Sequence, residues 1–141
     1  MNPLDQLKAL PTSDQAVTTY AAMEAEIRHS IIAASPATTW APRRERRQSG
    51  CSAPFDNLGG RTVIIPSYGA EQPIADEDWQ AVRTATEAIA QRYGLTTTTE
   101  AADSPGNHQV RYSSTADGAY VDIGSGKAAF VTTNTGCHLP E

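Results

Sequence analysis

The chain carries two cysteines, Cys51 near the middle and Cys137 close to the tail. A bond between them would close most of the polypeptide into one loop, which restricts the fold more than any other single feature. Neither has a second ligand at the short spacing of a zinc site, such as C-x-x-C, and the same absence excludes a thioredoxin-like redox pair. Two readings stay open. Either both thiols are free and buried, as in a reducing compartment, or they form one disulfide in an oxidising one. The local contexts favour the second. Ser49-Gly50-Cys51-Ser52 and Thr135-Gly136-Cys137-His138 each set glycine beside the cysteine, just outside a predicted regular element, which relaxes the backbone limits on bridge geometry. In the simple chain-entropy picture such a bridge removes about 4–5 kcal/mol of unfolded-state freedom.

Periodicity supplies the elements. Residues 1–11 read as an N-terminal tether with a short helical turn, Leu4, Leu7 and Leu10 on one face and Pro3 and Pro11 at its limits. Residues 12–141 read as a single α+β domain. Thr12 and Gln15 have capping-box spacing, and Val17, Tyr20, Met23, Ile27, Ile31 and Ala34 then recur on one helical face, with Glu24 and Arg28 paired on the outer side. Ser35-Pro36 stops this helix. Residues 37–60 read as irregular, punctuated by Pro42, Pro54, Gly59 and Gly60. Arg61–Pro66 is a buried-strand candidate. Asp76 opens a second helix with Trp79, Val82, Ile89 and Tyr93 inward, closed by Gly94. Thr96–Glu100, Val110–Ser114, Tyr120–Ile123 and Lys127–Thr133 follow as strands joined by turns, an antiparallel meander. The expected architecture is an α+β two-layer sandwich, two main helices on one face of a mostly antiparallel four- to five-stranded sheet.

Length and charge narrow the function. The 141 residues suit one domain, and 39% hydrophobic residues with 10 glycines argue against disorder. A net charge of −5 gives no global positive field, so no nucleic-acid partner is expected. Apolar runs are as short as Val63-Ile64-Ile65, too short to span a membrane. Met1–Asp5 has no basic segment and no apolar core, so no signal peptide is expected within this chain.

Most motifs carry little chemistry. Gly124-Ser125-Gly126-Lys127 lacks both the first glycine and the final hydroxyl of a phosphate loop and lies between strands, so it reads as a hairpin turn. His29, His108 and His138 are scattered, with His29 on the polar side of the first helix and the others in loops; no metal or other cofactor is expected. No nucleophile–base pattern is present, and Asp76-Glu77-Asp78 reads as helix capping. Trp40 and Trp79 read as core anchors. Arg43-Arg44-Glu45-Arg46-Arg47 is the one unusual charge run. Its guanidiniums suit phosphate or carboxylate, making Arg43, Arg44, Arg46 and Arg47 the candidate anion-binding residues, against the plainer reading of a solvated loop.

Thr39-Trp40, Ser49-Gly50-Cys51, the acidic-headed helix Glu77-Asp78-Trp79, the stretch Arg92-Tyr93-Gly94-Leu95-Thr96-Thr97-Thr98-Thr99-Glu100 and the ending Thr133-Asn134-Thr135-Gly136-Cys137 together resemble the LppA-type lipoproteins of mycobacteria and related actinobacteria. The likeness runs from about Glu26 to Cys137 and excludes the arginine run. It implies a secreted protein, lipidated on an N-terminal cysteine, in the cell envelope. Neither that cysteine nor its signal is expected within this chain. No catalytic residue is carried over. The expectation is therefore an extracytoplasmic envelope domain, a monomer and not an enzyme, that binds a partner protein or envelope ligand and touches the membrane only through a lipid anchor. Its rivals are an enzyme acting on envelope glycan or lipid, and electrostatic attachment to an anionic polymer through the arginines.

Overall fold

The computed structural model describes residues 2–141; Met1, the first residue of the expected tether, lies outside the described residues. Three helices, α1 (Pro3–Ala9), α2 (Ser13–Ala34) and α3 (Asp76–Arg92), accompany β1 (Trp40–Arg44), β2 (Arg47–Gly50), β3 (Arg61–Ile64), β4 (Ser67–Ala70), β5 (Thr97–Ser104), β6 (Asn107–Ser113), β7 (Tyr120–Ser125) and β8 (Ala129–Asn134). The two-layer α+β class is as expected. The strand number is not: eight strands form one antiparallel sheet in place of four or five.

The eight strands lie along six lines, ordered β1-β4-β8-β7-β6-β5. The pairs Trp40↔Ala70 and Gly50↔Arg61 are opposite ends of one long antiparallel ribbon, in which β1 and β2 form one side and β3 and β4 the other. The ribbon is interrupted by a register shift between Pro42 and Arg44 and by Pro66. This ribbon corrects the reading of residues 37–60 as irregular. Its outer side is exposed along its length apart from half-buried Trp40, so no inward-outward alternation marks it, and Pro42 is tolerated because β1 is an edge.

Both long helices cover the same sheet face. Met23, Ile27 and Ile31 of α2 and Trp79, Val82 and Ala90 of α3 share one core with Val110, Tyr112, Val121, Ile123 and Val131 of the sheet. The capping box of α2 forms as expected, with the Gln15 amide donating to Thr12 Oγ1 and the Thr12 amide to Gln15 Oε1. Tyr93 and Arg92 at the end of α3 donate to Glu26, tying the helices together. Three expectations need correction. Glu24 is only 3% exposed, not on the outer side; Arg28 reaches it with two bonds of 3.0 and 3.1 Å while its guanidinium lies 3.8 Å over the Tyr68 ring. Segment α1 is docked, because Leu7 is buried. Trp79 is a buried core anchor, but Trp40 is half-buried at the margin and donates to Thr38.

Candidate functional site

The helices leave the other face of the sheet open, and residue alternation decides what it shows. Across β4, β8 and β7, Gly69, Phe130 and Gly124 are cross-strand partners in one row facing away from the core. Side chains on a sheet stand side by side along such a row, so two glycines leave space for their neighbours. The Phe130 ring occupies the space over Gly124, where any Cβ would overlap its ring carbons. The stem of Arg43 occupies the space over Gly69, with Cγ 2.8 Å from where a Cβ would stand. A groove of about 800 Å³ results, with Phe130 and Gly69 on its floor and Arg43, Arg44, Arg47 and Lys127 around it.

The structure therefore divides the candidate anion-binding residues. Arg43, Arg44 and Arg47 line the groove together with Lys127, which the sequence pattern placed only in a hairpin turn. Arg46 does not line the groove but an adjoining depression, which it shares with Pro42, Arg43, Arg44, Glu45 and Pro66. Exposure alone does not distinguish a working cation from a solvating one, but pairing does. Arg28, Arg61, Arg83, Arg92 and Arg111 each hold a carboxylate, those of Glu24, Asp14, Glu100, Glu26 and Asp122. Among the described residues, the four arginines of the run have none. The groove's cations face one carboxylate, Glu71, on its lining. The Arg111–Asp122 pair stands on the same open face, with Arg111 also stacked 3.7 Å over Tyr120.

Two histidines that were expected in loops are inside the fold. His138 is 1% exposed. Its Nδ1 donates to the Pro11 carbonyl at 2.8 Å, and its Nε2 to the Thr135 carbonyl at 2.8 Å and to Asp117 Oδ2 at 3.0 Å. All three partners accept, so both ring nitrogens carry protons and the ring is an imidazolium. Burial opposes that charge, but the Asp117 carboxylate and the two carbonyls outweigh it and raise the His138 pKa. Burial likewise opposes ionisation of Asp117, and hydrogen bonds from His138, the Ala119 amide and the Tyr20 hydroxyl overcome it, so its pKa is lowered. The Tyr20 hydroxyl, donating at 2.8 Å, is pushed up by burial and by the neighbouring carboxylate.

This knot adjoins the Cys51–Cys137 disulfide, which is formed, with Cα atoms 5.7 Å apart. Gly60 lies against both sulfurs. Arg61 and His138 exchange backbone hydrogen bonds of 2.9 and 3.0 Å, and the Ser13 amide donates to the Leu139 carbonyl. The tail is thus stitched to the middle of the chain, to the start of α2 and to the turn before β7.

His108 is 7% exposed, packed under Trp79 with ring centroids 4.8 Å apart. Its nitrogens face Asp103 Oδ1 at 2.9 Å and Asp76 Oδ1 at 2.7 Å. Asp76 also accepts from the Gly106 amide; that bond first, and His108 second, lower its pKa. Asp76 is therefore not the helix cap it was read as: α3 has Ala75 at its N-cap and no side-chain cap. Both histidine–carboxylate groups join separate segments within the fold. Nothing in the sequence pattern flagged them, since the partners come from distant segments.

The LppA family, described as "Lipoprotein confined to pathogenic Mycobacterium", matches residues 2–141. The crystal structure of LppA from Mycobacterium tuberculosis superposes with a TM-score of 0.79 at 17% identity, covering 96% of this chain and 83% of that one. A DUF4853 family protein from Actinomyces odontolyticus ATCC 17982 gives a TM-score of 0.67 at 8% identity, over 94% of this chain and 72% of that one. At these identities the likeness establishes a shared fold. None of the curated proteins matches this chain in sequence.

Proposed function

The chain belongs to the LppA lipoprotein family, and from that membership we propose that it works outside the cytoplasmic membrane as a non-catalytic envelope domain whose open sheet face binds an envelope ligand. Lipoproteins are held by acyl chains, and among the described residues no helix is long and apolar enough to cross a membrane. A disulfide joining the tail to the middle of the chain suits an oxidising compartment. One observation carries the binding role. The helices cover one face only, and the other holds a groove whose arginines, among the described residues, lack carboxylate partners; of the histidine–carboxylate groups, His138–Asp117 is enclosed, while His108 is buried with its partners Asp76 and Asp103 about half exposed.

The test is amide-resolved NMR of the labelled domain titrated with mycobacterial envelope extract. Shifts clustered on Gly69, Phe130 and Gly124 are expected. Shifts clustered around His108 and Asp76 would favour an enzyme acting on envelope material, and an unperturbed open face would defeat the proposal.

A further inference from the structure

Resting on the open face as the binding surface, we infer that its groove takes a sugar phosphate, as a phosphate monoester either free or at the end of a glycan. Arg43, Arg44 and Arg47 on the β1–β2 edge and Lys127 in the β7–β8 turn all line the groove, with one carboxylate, Glu71. Each arginine outside the run 43–47 is neutralised by a carboxylate, whereas among the described residues those of the run are not. Unneutralised guanidiniums held together repel one another, and an anion bound among them removes that repulsion. A planar carboxylate satisfies a single guanidinium fork. A phosphate monoester offers three terminal oxygens in a tetrahedral arrangement, which more than one guanidinium can share.

The shape of the site adds the body of the ligand. A volume of about 800 Å³ lies in the range of small-molecule sites and far exceeds one inorganic anion. Phe130 lies on the groove's floor, with ring atoms Cε1 and Cζ over Gly124, and Tyr120 lines it further along β7. The groove is open to solvent, so a long acyl chain would gain little burial there. A sugar ring fits better: its C–H face lies against an aromatic ring and its hydroxyls stay in water. A bilayer surface fits worse, since it presents phosphates on a plane, whereas these cations surround a recess.

The decisive experiment titrates the intact, disulfide-bonded protein with glucose 1-phosphate, glucose, inorganic phosphate and phosphatidylglycerol-doped phosphatidylcholine vesicles, read by amide shifts and calorimetry. Glucose 1-phosphate is expected to bind saturably, shifting Gly69 and Phe130, and to bind more tightly than inorganic phosphate or glucose. Arg43→Gln, Arg44→Gln and Arg47→Gln are each expected to weaken it about tenfold or more, the scale of a charged hydrogen bond. Arg46→Gln, a change of equal charge outside the groove, is expected to leave it unchanged. Inorganic phosphate binding as tightly, binding to vesicles alone, an equal loss in Arg46→Gln, or no response to any probe would each overturn the inference. If the probes fail while envelope extract still shifts the open face, the ligand class is wrong and the binding face stands; if the extract also leaves it unmoved, both fall.

Discussion

His138 Nε2 lies 3.0 Å from Asp117 Oδ2, an ion pair enclosed by the fold. The two groups make stability depend on pH in opposite directions. His138 has a raised pKa, so its contribution is full below the unfolded imidazole value and is lost as pH rises through the folded value. Asp117 has a lowered pKa, so its contribution is full above the unfolded carboxylate value and is lost as pH falls through the folded one. Stability from this pair is therefore greatest between the ordinary values of about 3.9 and about 6.5. Urea midpoints measured across pH are expected to decline on the alkaline side in the wild type, and the part of that decline due to the pair is expected to vanish in His138→Gln. An unchanged alkaline slope in that variant would assign it to other groups.

The same pair predicts a hierarchy of substitutions. Asp117→Asn leaves a buried imidazolium without its counter-charge, a loss of about 3–5 kcal/mol. Tyr20→Phe removes one hydrogen bond to the carboxylate and is expected to cost about 1 kcal/mol, or up to about 3 with the acceptor ionised. Equilibrium denaturation at neutral pH reads both. A Tyr20 variant as damaging as the Asp117 variant would mean that the hydroxyl, not the ion pair, holds the knot.

Removing the staple by Cys51→Ser together with Cys137→Ser is expected to lower stability by up to about 4–5 kcal/mol, the chain-entropy scale for so long a loop. Gly60 refines this test. A Cβ there would stand 2.8 Å from Cys137 Sγ and 3.2 Å from Cys51 Sγ. Gly60→Ala should therefore cost more with the bridge present than without it. A double-mutant cycle measures that coupling, and additive costs would show that the glycine does not pack on the sulfurs.

The two long helices and strands β6 and β8 were legible in the sequence because each buries a single face, whereas β5 is exposed along nearly all its length and β7 buried on both faces. Met23, Ile27 and Ile31 keep helical spacing, and Val110 and Tyr112 alternate with Arg111 and Ser113. The β1–β2 side of the ribbon was not legible, because Pro42, Arg43, Arg44, Arg47 and Gln48 are all exposed and offer no alternation. Exposure also explains Glu24: its i,i+4 spacing to Arg28 was visible, but its burial comes from the partners around it. For the groove, the arginine run was visible as charge. Its meeting with Lys127 over Gly69 and Phe130 depends on register between strands far apart in the chain, which no local pattern carries.

The row that floors the groove makes the last prediction. Gly69 and Gly124 flank Phe130 on neighbouring strands, but what overlies them differs. Over Gly69 lies the exposed, flexible stem of Arg43, which can swing aside, although the Ala129 carbonyl oxygen at 3.2 Å leaves little slack. Over Gly124 lies an aromatic ring that is half-buried and cannot move without losing its contact with the sheet. Gly124→Ala is therefore expected to destabilise by about 1–3 kcal/mol, the range for overpacking, and to shift the ring resonances of Phe130. Gly69→Ala is expected to cost less in stability while displacing Arg43 and weakening anion binding. Denaturant midpoints and aromatic NMR spectra separate the two. A neutral Gly124→Ala with unmoved Phe130 resonances would show that the ring does not lie on that glycine, and the groove would lose its floor.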